Sequence, residues 1–138
     1  MADPLPASEA VPVAEFRAAL RGFLRTSERN ARAAGLTPQR YLLLLMIKGA
    51  PGGHERSTVT ELAERLQLAQ STVTELVSRA EEIGLVARER SPDDGRIAIL
   101  RLTPDGERRL AESFTSNESE RQALRQAFEH LQATELPT

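Results

Sequence analysis

The chain has 138 residues, enough for one domain with a real apolar core, and 40% hydrophobic with 28% charged residues is an ordinary globular balance. It has no cysteine, which excludes a disulfide framework, a thiolate metal site and a thiol-based redox switch. A net charge of −2 does not by itself announce a polyanionic partner, and no apolar stretch is long enough to span a bilayer.

Residues 1–12 hold three prolines, two acids and no basic residue, so they read as a disordered N-terminal arm rather than a leader, and the chain is expected in the cytoplasm. Residues 13–138 are expected to form a single domain. A first helix is predicted from Val13 to Ala34, with Phe16, Leu20, Phe23 and Leu24 at helical spacing and Gly35 as its stop. Thr37-Pro38 is an N-cap followed by proline, opening a second helix to Lys48 that buries Tyr41, Leu44, Leu45 and Ile47. Gly49 to Ser57 is rich in glycine and reads as a loop.

Thr58 and Glu61 have capping-box spacing, and a short third helix follows over Val59–Leu66 with Leu62, Ala63 and Leu66 inward. After a tight turn at Gln67–Ala69, a fourth helix runs from Gln70 to Ile83 with Val73, Leu76, Val77, Ala80 and Ile83 as its buried stripe. Gly84 is a natural residue to follow it. The period then changes. Val86–Arg90 and Ile97–Leu102 read as two strands around Ser91-Pro92-Asp93-Asp94-Gly95, with Asp-Gly at the tip. Thr103-Pro104 opens a fifth helix carrying Leu110 and Phe114, and Asn117 with Glu120 opens a sixth with Leu124, Phe128 and Leu131 inward.

The order α-α-α-α-β-β-α-α is mainly helical, and two short helices before a hairpin form a winged helix-turn-helix pattern. Opposite the apolar stripe of the fourth helix lie Ser71, Thr74, Glu75, Ser78 and Arg79, with Gln70 at its tip. Gln, Ser and Thr can hydrogen-bond base edges, Glu can accept from cytosine N4, and Arg can take guanine or phosphate. The same pattern also fits an ordinary solvated face. At the hairpin tip, Asp94-Gly95-Arg96 projects an arginine suited to a narrow minor groove, with Asp94 placed to orient it.

These features together resemble the MarR family of bacterial regulators, over Leu36 to Leu110. The matching residues are Leu36-Thr37-Pro38-Gln39, Thr58-Val59-Thr60-Glu61-Leu62-Ala63, and Thr72-Val73-Thr74 with Leu76-Val77 and Arg79. Gly84-Leu85-Val86, Asp94-Gly95-Arg96 and Leu102-Thr103-Pro104-Asp105-Gly106 complete the match. The resemblance implies a homodimer with a DNA-binding part at residues 37–102 and a dimerisation part at 13–35 and 103–138. Each subunit would place the fourth helix in a major groove and its wing in an adjacent minor groove of double-stranded DNA. By position, Arg96 would be the minor-groove arginine, Asp94 its orienting partner and Arg79 a backbone contact. The DNA-binding set is then Gln70, Ser71, Thr72, Thr74, Glu75, Ser78, Arg79, Asp94 and Arg96. A small aromatic or amphipathic effector is implied, its site expected near Tyr41. Glu75 departs from the family, whose members frequently carry a basic or neutral residue there. The function expected is a ligand-responsive repressor on a pseudo-palindromic operator; the alternative is a winged-helix protein-protein module that does not bind DNA.

Charge is unevenly spread. Ala14 to Lys48 carries seven basic residues against Glu15 and Glu28, and Arg17, Arg21, Arg25 and Arg29 recur four apart on one helical face. They could face phosphates, pair with Glu112, Glu118, Glu120 and Glu129, or stay solvated. Enzyme readings are thin. His54 and His130 have no ligand companions at useful spacing, Asp93 and Asp94 are adjacent in a turn, and Gly49–Gly53 lacks a phosphate-loop lysine. No catalytic residue, metal or cofactor is expected.

Overall fold

The computed structural model describes residues 2–135, with side chains through residue 133. It is mainly helical: α1 (Ala7–Ala33), α2 (Pro38–Lys48), a 3-10 turn (Pro51–Gly53), α3 (Val59–Leu66), α4 (Gln70–Glu82), β1 (Val86–Arg90), β2 (Ala98–Leu102), α5 (Pro104–Ser116) and α6 (Glu118–Glu135). The described residues divide into two compact units, Ala31–Ser113 and the paired segments on either side of it.

In the Ala31–Ser113 unit, local chemistry sets the element boundaries. Thr37 Oγ1 accepts from the Arg40 N–H at 3.2 Å, so the start of α2 is capped and Pro38 fills the first turn. Thr58 and Glu61 close the full capping box, with Thr58 Oγ1 accepting from Glu61 N–H and Glu61 Oε1 from Thr58 N–H. At the end of α4, Gly84 turns left-handed at φ 77°, and the Leu85 N–H reaches back to the Ala80 carbonyl at 2.9 Å. The buried stripe then falls on Leu43, Leu44 and Ile47 of α2, Leu62 of α3, and Val73 and Val77 of α4, all at 0% exposure. Burial of this kind supplies the main drive for folding.

The strands pair antiparallel, Val86 opposite Leu102 and Arg88 opposite Leu100. Ser57 adds a single bridge to Leu100 on the far edge of β2, its N–H donating to the Leu100 carbonyl at 3.1 Å. The unit extends beyond the expected reader on both sides. Ala31, Leu36 and Leu110 sink into its core, and Arg109 Nη1 donates to the Gly35 carbonyl at 3.1 Å. Lys48 ties α2 to Glu55 at 2.7 Å and to Glu107 of α5 at 2.9 Å.

Several expectations are corrected. The N-terminal arm is shorter than residues 1–12, because α1 begins at Ala7 instead of Val13 and runs through Pro12. Proline's fixed φ is itself helical, so the cost is confined to one missing bond and crowding one turn back. Met1 lies outside the described residues. On α2, Leu43 is fully buried and Leu45 only partly. Ile83, expected in the stripe of α4, is 49% exposed because it caps the helix where the chain turns away. β2 begins at Ala98, leaving Ile97 exposed in the turn.

In the other unit, α6 and the body of α1 hold together through a buried polar cluster. Asn117, 1% exposed, accepts from Asn30 Nδ2 at 2.7 Å and donates to Ser27 Oγ at 3.4 Å. The rings of Phe16 and Phe128 meet at 6.1 Å, and the Arg121 guanidinium sits 3.8 Å over the Phe114 ring. Phe128, expected inward, is nevertheless 45% exposed, and Phe114 is 43% exposed, since a two-helix layer has no further apolar surface to cover them.

Candidate nucleic-acid interface

The polar face of α4 is open. Gln70, Ser71, Thr72, Thr74, Glu75 and Arg79 are exposed, while Ser78 is half-buried. Val73, Val77 and Ala80 anchor the opposite face in the core, so the exposed set is held in one orientation. Ala69 precedes the helix and no side chain caps it. The first N–H groups of α4 therefore face solvent with the positive end of the helix dipole, an arrangement that favours an anion. Glu75 Oε1 accepts from Arg79 Nη2 at 2.9 Å, an i,i+4 pair along the face.

The wing turn is organised by Ser91 and Asp94. The Ser91 hydroxyl accepts from the N–H groups of Asp93 and Asp94, and Ile97 N–H donates to the Asp94 carbonyl at 3.0 Å. The Asp94 carboxylate accepts from Arg96 three times, through the backbone N–H at 3.0 Å, Nε at 3.1 Å and Nη2 at 3.3 Å. The guanidinium hydrogen bond, and after it the backbone one, holds the Asp94 carboxyl below the usual aspartate range. At the base of the wing, Glu89 joins Arg56 at 3.1 Å to Arg101 at 2.6 Å. That network links the segment before α3 to both strands of the wing.

Sequence reasoning missed two contributors. A cleft of about 270 Å³ separates the start of α2 from α4, lined by Thr37, Gln39, Arg40, Thr72, Glu75, Leu76 and Arg79. Gln39 and Arg40 thus flank the reading face; the Thr37-Pro38 cap that opens α2 is the signal that could have found them. Ser57 braces β2 through one bridge, and no local pattern marks it. Tyr41, expected beside an effector cleft, is 5% exposed and part of the core. An apolar cleft of about 600 Å³ lies elsewhere, within the α1–α6 unit, lined by Leu5, Pro12, Val13 and Leu131 among others. Arg17, Arg21, Arg25 and Arg29 are all exposed and form no ion pair among the described residues. Among those residues no group of three or more histidine or acidic side chains could hold a metal, and no helix is long and apolar enough to cross a membrane.

The model of the MarR family matches residues 34–97. Over that segment the chain is similar to the MarR family. The matched segment contains all of α2, α3, α4 and β1 and the turn that carries Arg96. An organic hydroperoxide resistance transcriptional regulator from Bacillus subtilis is 38% identical over 71 residues, 51% of this chain and 46% of that protein. The chain spans about half the length of the curated relatives it matches. The YusO protein of Bacillus subtilis shares the fold at 27% identity and a TM-score of 0.62, covering 85% of this chain and 82% of its own. The PcaV transcriptional regulator of Streptomyces coelicolor, solved with its natural ligand, is 32% identical with a TM-score of 0.53, over 62% of this chain and 58% of its own. Two of these relatives, the hydroperoxide-resistance protein and PcaV, are named as transcriptional regulators.

Proposed function

We propose that this protein is a DNA-binding transcriptional repressor that acts in the cytoplasm as a homodimer on a pseudo-palindromic operator and is released by a small aromatic or amphipathic effector. One observation carries the reading: α4, anchored in the core on one face, offers an uninterrupted polar face beside a wing whose arginine is 91% exposed. Gln70, Ser71, Thr72, Thr74, Glu75 and Ser78 are assigned to base edges in the major groove. Arg79, and the uncapped start of α4, are assigned to phosphates, and Arg96, held by Asp94, to the minor groove. The regulator names of the relatives support transcription control, and the ligand in the PcaV complex supports an effector.

Dimerisation is supported by the α1–α6 unit, which leaves Val13, Leu24, Phe114 and Phe128 between 43% and 49% exposed in one chain. A second copy would cover them in the symmetric manner of most small oligomers. The test is fluorescence anisotropy on duplex DNA from beside the protein's own gene, against scrambled duplex at the same salt, with sedimentation alongside. Preferential binding by a dimer is expected. A folded monomer at micromolar concentration, or equal weak binding to both duplexes, would instead favour a winged-helix protein-interaction module.

A further inference from the structure

Glu75 stands on the reading face with Thr72, Thr74 and Arg79 around it. An isolated carboxylate there would be repelled by every phosphate the helix approached. It is not isolated: Arg79, one turn on, donates to Glu75 Oε1 at 2.9 Å, while the two side chains stay 63% (Arg79) and 67% (Glu75) exposed. So exposed a pair contributes little to the stability of α4. Its effect is on the face itself. The guanidinium offsets the carboxylate charge, and the second oxygen, Glu75 Oε2, accepts no hydrogen bond among the described residues. An acceptor of this kind selects among base edges. Guanine and thymine present acceptors to the major groove, and adenine sets its N7 acceptor beside its amine. Cytosine alone offers an amine donor with no acceptor beside it.

We propose that Glu75 is a specificity-determining residue that reads a cytosine in each half-site, and that Arg79 is the positioning residue that makes a carboxylate tolerable against DNA. The proposal rests on the DNA-binding reading above. The remaining guanidinium donors of Arg79 take a flanking phosphate, so the pair reads one base and grips the strand beside it.

The experiment is selection of bound sites from a random duplex library with wild type, Glu75→Gln, Arg79→Ala and the double variant, followed by affinities on the selected site and thermal melts. Wild type is expected to select a motif with one fixed cytosine in each half. Glu75→Gln is expected to lose that cytosine or exchange it for adenine, and to bind the wild-type site roughly tenfold more weakly. Arg79→Ala is expected to weaken binding more in the wild-type background than in the Glu75→Gln background, because only the former leaves a bare carboxylate facing phosphates. If Glu75→Gln, with an intact melt, selects the wild-type motif unchanged, the assignment is overturned while DNA binding stands. If wild type selects no motif at all, the DNA-binding reading itself fails.

Discussion

Asp94 clasps Arg96 from two sides, accepting from its backbone N–H at 3.0 Å and from Nε and Nη2 of the guanidinium at 3.1 and 3.3 Å. The clasp fixes the direction of a cation that touches little else, since the Arg96 side chain is 91% exposed. Arg96→Ala should therefore leave stability within about 0.5 kcal/mol of wild type, as for other exposed positions. Affinity for operator DNA should fall, and the slope of log affinity against log salt should flatten by up to about one unit. Melts and anisotropy on one duplex check both. Unchanged affinity with an intact melt would mean that the wing does not reach DNA.

The same clasp has a pH signature. A carboxyl whose pKa is depressed in the folded chain contributes stability above its ordinary value of about 3.9, and loses it as pH falls through the depressed one. Asp94 is such a group, lowered first by the Arg96 side chain and then by its backbone N–H. Carbon-detected NMR should show Asp94 titrating below a reference aspartate, with the wing turn loosening only in that acid range. In Arg96→Ala the midpoint should rise part of the way back, because the backbone donor remains. A wild-type midpoint at or above the ordinary value would contradict the geometry.

Where α5 meets the end of α4, a Cβ on Gly106 would overlap the Leu85 carbonyl oxygen. That oxygen cannot easily retreat. It accepts from Thr103 N–H at 3.0 Å, and the Thr103 hydroxyl in turn donates to the Gly84 carbonyl. Gly106→Ala should cost about 1–3 kcal/mol of stability in chemical denaturation, as overpacking does. Gly95→Ala, where nothing lies within 4 Å of the added carbon, should cost much less.

The hydroperoxide-resistance relative invites a comparison in solution, because this chain has no cysteine. Treatment with an organic hydroperoxide should leave DNA affinity unchanged on the timescale of thiol oxidation. Its two methionines offer only a slower route through the sulfoxide. Rapid release from DNA, reversed by a thiol reductant, would contradict this.

The features legible in the sequence were those whose cause is local. The Thr58–Glu61 box, the Thr37-Pro38 start, Gly84 after α4 and the turn around Asp94 are each specified within a few residues, and each stands where expected. What escaped depends on distant partners. Ser57 joins β2 only because Leu100, far along the chain, presents its backbone there. The extension of α1 through Pro12 overrides a strong local breaker signal. Helical periodicity placed Phe128 on an inner face, but periodicity says which residues share a face and not what covers it. At the candidate site, sequence identified the polar face of α4. It did not reveal that α2 contributes Gln39 and Arg40 beside it, since that adjacency is tertiary.

Hydroxyl-radical footprinting of wild type and Arg96→Ala on a selected duplex tests the central claim most directly. The account predicts two protected half-sites related by a two-fold axis and about one helical turn apart, or a whole multiple of it, with flanking minor-groove protection that Arg96→Ala alone removes. No protection, or a single protected segment without two-fold symmetry that is identical in the two proteins, would contradict it.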